Sequence, residues 1–175
     1  KAKGALFFIV DSDDFLAADA LAQTYTAWQD IKDDAHYCGI IGLSEFTNGT
    51  LIGDRFLEDR WTIPFVDFYL KYHLTGDKSV AFKTSVLKEY PFPVKAGVRY
   101  VFESVVWSEM SKKYAVLCLN TVVQYKEYLE EGISDSSYRR WYLKSMAFSY
   151  FCLIQNKTYP FSRFPKPYLD RKSVV

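Results

Sequence analysis

The chain has 175 residues, of which 49% are hydrophobic and 25% are charged. This length and hydrophobic fraction predict one globular domain with its own core, and they exclude a disordered tail or a repeat array. With 22 Lys and Arg against 21 Asp and Glu, the formal net charge is +1. Such a small charge creates no global field for nucleic acid, so we expect no nucleic-acid partner.

The three cysteines, Cys38, Cys118 and Cys152, are far apart and form no CxxC pair. We expect them to be buried apolar residues in a reducing compartment rather than a disulfide or zinc framework. No apolar run approaches the length of a membrane-spanning helix, which is about 18 residues, and the N-terminus lacks the layout of a signal peptide. These features predict a cytoplasmic protein. The aromatic content, 14 Tyr, 14 Phe and 4 Trp, fits a thick core, a sugar-stacking cleft or a membrane-facing surface, and composition does not choose among them.

The chain starts at Lys1 without an initiator methionine and enters a strongly apolar segment within a few residues. We therefore expect it to be processed or to be a segment of a longer protein. Such a missing segment could carry half of an active site.

In chain order, the hydrophobic pattern predicts alternating strands and helices, which indicates an α/β protein. The apolar run at 5–10, bounded by polar residues and ending at Asp11, predicts that the first strand is buried in a mostly parallel sheet. The sequence TNGT at 47–50 predicts a hairpin turn, and SDS at 134–136 predicts a helix cap. The expected strands cover residues 5–10, 36–46, 51–56, 79–83 and 114–125, the expected helices cover 17–32, 64–74, 84–90, 100–113 and 137–155, and the tail from 156 is expected to be irregular.

An acidic tetrad, Asp11-Ser12-Asp13-Asp14, follows the first strand directly. In open α/β sheets, ligands bind outside the carboxyl ends of the strands. Two carboxylates separated by one residue can chelate a hard divalent ion, or one can bind the ion while the other holds a hydroxyl. The alternative is a solvated loop in which Asp14 caps the next helix.

The segment FIVDSDDFL at 8–16 resembles the DXD segment of family 2 glycosyltransferases of the GT-A fold. Further segments are similar to one bacterial branch of that family in order and approximate spacing. They are GDKSVAFKTSVLK (76–88), YPFP (90–93), RYVFESVVW (99–107), the stretch 120–125 and EYLEEGIS (127–134). The resemblance spans roughly residues 3 to 135.

This resemblance implies a mixed sheet flanked by helices and a Mn²⁺ or Mg²⁺ ion at the DXD motif. Asp13 then touches the metal and Asp11 lies near the ribose and sugar, with Ser12 between them in the donor site. The ion would stabilise the negative charge that develops on the departing nucleoside diphosphate. Asp14 is expected to cap a helix or to support the other acids.

The resemblance also implies an acidic residue that deprotonates the acceptor hydroxyl, and Glu103 occupies the matching position. An exposed helix-face carboxylate is the alternative for Glu103, and Glu109 is a weaker candidate for the base. Trp107 lies one turn after Glu103, so its indole could stack on an acceptor sugar, whereas core packing is the commoner fate of a helical Trp. His36 and His73 are candidates for a third metal ligand, with structural hydrogen bonding as the alternative for each.

The family's N-terminal nucleotide-binding half has no counterpart here. We therefore expect residues 1–135 to be the acceptor-side and metal-motif half of a GT-A domain, and 136–175 to be a C-terminal helix and a tail. The intact enzyme would transfer a sugar with inversion from a nucleotide donor, UDP-linked by expectation. Its acceptor would be a saccharide or a lipid-linked molecule, and the enzyme would act in bacterial surface polysaccharide synthesis. The chain alone is expected to be inactive, and its exposed sheet edges favour a homodimer.

Two other functions fit the same residues less fully. A haloacid-dehalogenase-like phosphatase also places DxD after an apolar strand and uses Mg²⁺, but it requires a small pair where this chain has Asp14-Phe15. A non-catalytic carbohydrate-binding or interaction module would use the acidic tip only as a cap. The basic and aromatic tail could meet an anionic membrane surface or pack on the domain. Its residues are Lys157, Arg163, Lys166, Arg171 and Lys172 among Tyr159, Phe161, Phe164 and Tyr168.

Overall fold

Six strands of the described residues form one mixed sheet, with helices beside it. The computed structural model describes residues 2–127 and 140–157, with the side chains of residues 140 and 141 left aside. The strands are β1 (Leu6–Phe8), β2 (Phe15–Leu16), β3 (Tyr37–Phe46), β4 (Trp61–Ile63), β5 (Lys78–Lys83) and β6 (Ala115–Lys126). The helices are α1 (Ala20–Ile31), α2 (Asp67–Leu70), α3 (Thr84–Glu89), α4 (Glu103–Met110) and α5 (Arg140–Asn156).

The strand order is β1-β5-β3-β6-β2, and β4 also pairs with β6. Only β3 and β6 run parallel, whereas the other pairs are antiparallel. The α/β class with a mixed sheet and helices is therefore confirmed. The expectation of a mostly parallel sheet is wrong, because an apolar run identifies a strand without giving the direction of its neighbours.

Strand β1 lies at an edge of the sheet in the described part of the chain, where β5 is its neighbour. Phe7 is 39% exposed and Val10 is 40% exposed. The prediction of a strand here is confirmed, but the prediction that it is buried is wrong. Burial depends on what covers the strand, and the described helices do not cover both of its faces.

The two central strands are buried on both faces of the sheet. In β3, Ile40 belongs to one apolar cluster and Ile41 to another, and in β6 Leu117 and Cys118 divide in the same way. Successive side chains of a strand point to opposite faces, so the clusters lie on opposite sides of the sheet. The smaller cluster includes Ala27 and Ile31 of α1, and the larger includes α4 and Leu153 of α5. The fold is thus helix, sheet and helices in three layers.

The directions of the strands place several strand ends together along one edge of the sheet, the edge that runs across the strands. Because β1 and β3 are both antiparallel to β5, and β6 is parallel to β3, the carboxyl ends of β1, β3 and β6 share this edge with the amino end of β5. Pairing continues past β1, since the Ile9 N–H donates to Val80 O at 3.2 Å. The acidic tetrad and the segment before β5 therefore meet here.

Several predicted elements change in extent. The predicted partner strand at 51–56 reduces to one bridge between Glu45 and Leu51 after a turn with Gly49 at φ 83°. The predicted helix at 64–74 is one turn, α2, and β2 and β4 were not predicted. The helical spacing of Leu16, Ala20, Leu21, Tyr25 and Trp28 predicts the apolar face of α1, but Leu21 and Tyr25 are exposed while Thr24 and Ala27 are buried, so this face was partly wrong. The predicted cap at 134–136 lies outside the described residues.

Cys38 and Cys118 are buried free thiols, which confirms their predicted apolar role, and Cys152 is a half-buried free thiol. Burial raises the pKa of Cys38 and of Cys118 to about 12, so both stay protonated at neutral pH. Within the part of the chain that the structure describes, no helix is both long enough and apolar enough to cross a bilayer.

Lys83 ties the end of β5 to the end of α1. Its ammonium donates to Ile31 O at 2.6 Å, Asp34 O at 2.7 Å and Lys32 O at 3.2 Å. These carbonyls end or follow α1, where backbone acceptors lack helical partners and a cation is favourable. Burial lowers the pKa of Lys83, and the charge of Asp34 opposes that shift.

We predict that Lys83→Met lowers the free energy of unfolding by about 2 kcal/mol, because methionine keeps the apolar stem but leaves three carbonyls without their charged donor. Thermal unfolding measures the loss as a Tm lower by roughly 4–8 °C. Lys88→Met removes an exposed lysine nearby and should change stability by less than about 0.5 kcal/mol. Equal losses in the two variants would contradict the assigned role of Lys83.

Candidate active site at the acidic edge

The acidic tetrad forms a turn directly after β1. The Asp14 N–H donates to Asp11 O at 3.1 Å and closes the turn. Asp11 and Ser12 are exposed and Asp13 is half-buried, whereas the Asp14 side chain is only 5% exposed. The turn therefore presents Asp11 and Ser12 to solvent and turns Asp14 inward.

Asp14 anchors this turn to the sheet. Its carboxylate accepts from Gln124 Nε2 at 2.6 Å and pairs with Lys126 Nζ at 3.1 Å. Gln124 Oε1 in turn accepts from Ser79 Oγ at 2.5 Å. Since β3 lies between β5 and β6, this network spans three strands and ends at the turn. Asp14 supports the site, as one of the two expectations had it.

The other expectation, that Asp14 caps the next helix, is wrong. The N-cap residue of α1 is Asp19, whose side chain makes no capping hydrogen bond. Two residues of β2 and the turn that follows separate Asp14 from the helix. Its carboxylate is instead satisfied by β6.

Asp77 is an acid of this edge that sequence reasoning missed. It directly precedes β5, and its Oδ2 lies 3.8 Å from Lys126 Nζ. The antiparallel pairing of Phe8 with Ala81, continued beyond β1, brings Asp77 level with the tetrad. In the sequence, Gly76-Asp77 indicates only the end of a helix. The place of Asp77 beside the tetrad becomes visible only from the pairing of β5 with β1. Gly76 has φ 81° and lets the chain turn sharply there.

Glu103 is the first residue of α4 and is exposed. Desolvation by the surrounding protein raises the pKa of Glu103, and the charges of Asp11 and Asp77 raise it further, while Lys126 opposes them. A helix N-terminus stabilises a carboxylate, so the acidic neighbours and desolvation outweigh the helix dipole here. Asp11, Asp77 and Glu103 thus share one electrostatic environment, which we call the acidic edge.

Lys126 and Tyr100 accompany the acidic edge. Burial alone would lower the pKa of Lys126, but Asp77, Asp14 and Asp11 together raise it, so the ammonium stays charged. Burial raises the pKa of Tyr100 to about 12, helped by Glu103 and other neighbours. Its phenol therefore remains a neutral hydrogen-bond donor at physiological pH. Tyr100 belonged to a segment of the resemblance without a role.

The predicted metal site is tested by its donor set. Asp11 and Asp13 offer carboxylate oxygens, the ligands that Mg²⁺ and Mn²⁺ prefer. Across residues 2–127 and 140–157, no three His, Cys, Asp or Glu side chains are gathered closely enough to hold a metal. The chemistry fits an ion bound by one or two carboxylates plus substrate phosphates. His36 and His73 are exposed and belong to no such group in this part of the chain.

Trp107 is a core residue in this structure. Only 4% of its surface is exposed, and its ring centroid lies 4.4 Å from that of Phe82 and 5.9 Å from that of Phe92. The indole has no open face on which a sugar could stack, so the expected acceptor-binding role does not fit and core packing accounts for it. The i+4 spacing was correct as helix geometry, but α4 turns Trp107 toward the sheet.

Glu109, the weaker base candidate, has a structural partner, because it pairs with Lys112 at 2.6 Å. Tyr125 and Tyr128 belong to the resembling segments and have no predicted chemistry. Tyr125 packs beside Phe15, with ring centroids 5.5 Å apart. Tyr128 and the tail beyond Lys157 lie outside the described residues.

Comparison of the chain with protein-family models, with curated proteins and with solved structures finds no match. The fold class that the structure defines is an α/β domain with a mixed sheet, and the site that it defines is an acidic edge with a lysine and a phenol. Any further assignment rests on this geometry and on the sequence motifs.

We predict that Asp14→Asn lowers the free energy of unfolding by about 2 kcal/mol, because the asparagine amide removes the charge that faces Lys126. Asp13→Asn is the matched control, since it makes the same chemical change in the same turn and should cost less than about 0.5 kcal/mol. Urea unfolding of the two variants gives the comparison. A larger loss for Asp13→Asn would contradict the anchoring role of Asp14.

The raised pKa of Glu103 predicts a pH-dependent effect on stability. The folded state holds the Glu103 proton more tightly than the unfolded chain, so this stabilisation is complete below the ordinary pKa of 4.5 and is lost as the pH rises through the folded pKa. Glu103→Gln removes the carboxylate and should raise Tm slightly at about pH 7, with a smaller change near about pH 4, because solvent screens the charge of this exposed side chain.

Glu109→Gln is the control for this measurement, because it removes a carboxylate of the same helix that has its own cation. It should leave Tm at neutral pH unchanged or slightly lower. A Tm for Glu103→Gln that falls at neutral pH would show that the carboxylate is stabilised rather than strained by its neighbours.

Proposed function

We propose that this chain is the acceptor-side part of a metal-dependent glycosyltransferase of family 2 with the GT-A fold. Its reaction is the inverting transfer of a hexosyl-type sugar from a nucleotide donor, UDP-linked, to a saccharide or lipid-linked acceptor. The observation that carries the proposal is that Asp11 of the DXD segment and Glu103 of the second acidic segment influence each other across the fold. Two motifs far apart in the sequence are thus close enough in the fold for their charges to interact.

Glu103 is the proposed general base. A base works best when its pKa approaches the operating pH, and desolvation together with Asp11 and Asp77 moves the pKa of Glu103 in that direction. In the transfer, the acceptor hydroxyl oxygen forms a bond to the anomeric carbon as the bond to the nucleoside diphosphate breaks. Glu103 takes the hydroxyl proton, and the departing diphosphate takes the bonding electron pair. Attack opposite the leaving group inverts the configuration.

Asp11, Ser12 and Asp13 are the proposed donor-side residues, with Asp11 and Asp13 as ligands of Mn²⁺ or Mg²⁺. When bound, the ion would supply charge stabilisation for the departing diphosphate. Asp14 holds the turn on Lys126 and Gln124, so the exposed carboxylates start from a fixed backbone. The neutral phenol of Tyr100 is the proposed hydrogen-bond donor that orients an acceptor hydroxyl near Glu103.

The division at residue 135 remains part of the proposal. Helix α5 supports α4, the helix that carries Glu103, since the Phe102 N–H donates to Ser149 Oγ at 2.9 Å and Asn156 Nδ2 donates to Val105 O at 3.0 Å.

The proposed location is the cytoplasm at the inner face of the membrane. Exposed Leu143, Phe151 and Ile154 on α5 are suited to peripheral contact with lipid, and the open edge of β1 is suited to a homodimer.

A non-catalytic carbohydrate-binding or interaction module is the second candidate. The observation in its favour is that the described residues gather no three-ligand metal cluster. Metal binding separates the two functions, because only the transferase requires an ion at the DXD turn.

We expect Mn²⁺ to bind the intact protein that contains this chain in the presence of UDP, with the bound ion detected by its electron paramagnetic resonance spectrum. Asp13→Asn should weaken binding by about 10-fold or more, since it removes a charged ligand. Asp33→Asn, a change at an exposed carboxylate near α1, is the matched control and should have no effect. Mn²⁺ binding that is absent, or equally affected by both variants, favours the module.

The base is tested in the intact protein that contains this chain. Glu103→Gln and Asp13→Asn should each lower turnover by about 10²-fold or more, because one removes proton transfer and the other removes charge stabilisation. Glu109→Gln is the control for a carboxylate of the same helix. Full turnover in Glu103→Gln would remove Glu103 as the base while leaving the metal assignment intact.

A further inference from the structure

A depression of about 320 Å³ lies at the opposite end of the sheet from the acidic edge. It is bounded by Gly4 and Ala5, which precede β1, and by Ser85, which follows β5 at the start of α3. The end of α1 forms its other side through Trp28 and Lys32. The strand directions thus separate this depression from the proposed catalytic residues by the length of the sheet.

Three exposed lysines line the depression, Lys3, Lys32 and Lys88. Lys83 lies deeper, where its ammonium is already held by backbone carbonyls. Lys32 Nζ donates to Gln29 Oε1 at 2.9 Å, an uncharged partner that leaves its charge available. The lysines come from three separate segments of the chain, so the fold collects positive charge here although the whole chain is nearly neutral.

Two carboxylates lie near this charge and offset part of it. Asp33 and Asp34 both act on the ammonium of Lys83. The Asp34 carboxylate is engaged locally, since Oδ1 accepts from the His36 N–H at 2.8 Å. Neither aspartate lines the depression, so the charge that faces into it comes from the lysines.

Thr84 supplies a second and independent sign of a ligand. It lines the depression, is only 6% exposed, and its Oγ1 is a buried oxygen without a hydrogen-bond partner in the structure. A buried polar group without a partner costs about 1–3 kcal/mol, so such groups usually have an explanation. Rotation of the Thr84 side chain would turn this oxygen toward the depression, where a ligand oxygen would provide the missing acceptor or donor.

Trp28 adds an aromatic wall beside the lysines. It is half-buried and its ring centroid lies 5.7 Å from that of Tyr25. Aromatic side chains favour the apolar faces of sugar and other rings, whereas lysines act as point charges for phosphate. Binding pockets typically measure about 300–1,000 Å³, so the depression has the capacity for a group of monosaccharide size.

We propose that this depression binds the phosphate group of a sugar phosphate, with Lys3 and Lys88 as the charged contacts, the Thr84 hydroxyl as a hydrogen-bond partner and Trp28 beside the sugar ring. The same chemistry occurs in a free sugar phosphate and in the phosphate headgroup of a glycolipid. The site is independent of the acidic edge and does not rest on the proposed transferase activity.

The test is a titration of the ¹⁵N-labelled chain with glucose 1-phosphate, followed by the amide resonances of the residues that line the depression. We expect saturable shifts there and a Kd that rises about 3–10-fold in Thr84→Val. Because Thr84 Oγ1 has no hydrogen-bond partner among the described residues, Thr84→Val should unfold at the same temperature as the wild type or higher. This combination separates a ligand contact from a structural role.

Charge variants complete the test. Lys3→Gln and Lys88→Gln should each weaken binding about 3–10-fold, and Lys71→Gln, which removes an exposed lysine elsewhere, should not. Vesicles containing a phosphate-headgroup glycolipid distinguish the source, since competition by glucose 1-phosphate for vesicle binding shows that both occupy the depression. Binding of glucose 1-phosphate alone supports a soluble ligand. Absence of shifts at these residues up to about 10 mM, or equal effects of Lys71→Gln, would overturn the proposal.

Discussion

The parallel pairing of β3 with β6 is the constraint on which the other layers depend. Both strands are buried on both faces, so one pair supplies apolar surface to α1 on one side and to α4 and α5 on the other. Antiparallel β5 then joins β3 and carries β1 at the edge. Because the directions of these strands are linked, the ends that carry charged residues are sorted to two opposite edges of the sheet. The acidic edge and the lysine-lined depression are consequences of that sorting.

The network of Ser79, Gln124, Asp14 and Lys126 connects this framework to the acidic edge. It satisfies polar groups in and beside the centre of the sheet, where unpaired ones would be costly. Neighbouring acids therefore have different surroundings: Asp14 is buried and pairs with Lys126, whereas Asp11 is exposed. Desolvation first, and then the negative charges of Asp11 and Asp77, raise the pKa of Glu103, while Lys126 opposes them only in part.

Sequence reasoning succeeded where a local pattern decides the outcome. The apolar runs at β3, β5 and β6 and the helices α1 and α3 were predicted close to their observed bounds, because periodicity and turn residues act within a few positions. It failed at β2 and β4, which are only two and three residues long and exist through pairing with β6. For Trp107 it left core packing, the commoner fate, and sugar stacking both open, since helical spacing gives neighbours on one helix and not what faces them; the structure places Trp107 in the core.

From the sequence alone follow the α/β class, the buried thiols of Cys38 and Cys118, and the acidic turn after the first strand, since each depends on residue type and local order. The tertiary structure decided which strands are neighbours and in which direction they run, and therefore that Asp77 and Glu103 join Asp11 at one edge. It also decided that Asp14 faces Lys126 and that lysines from three segments meet around Thr84. Such groupings depend on contacts between residues far apart in the chain, which no local pattern encodes.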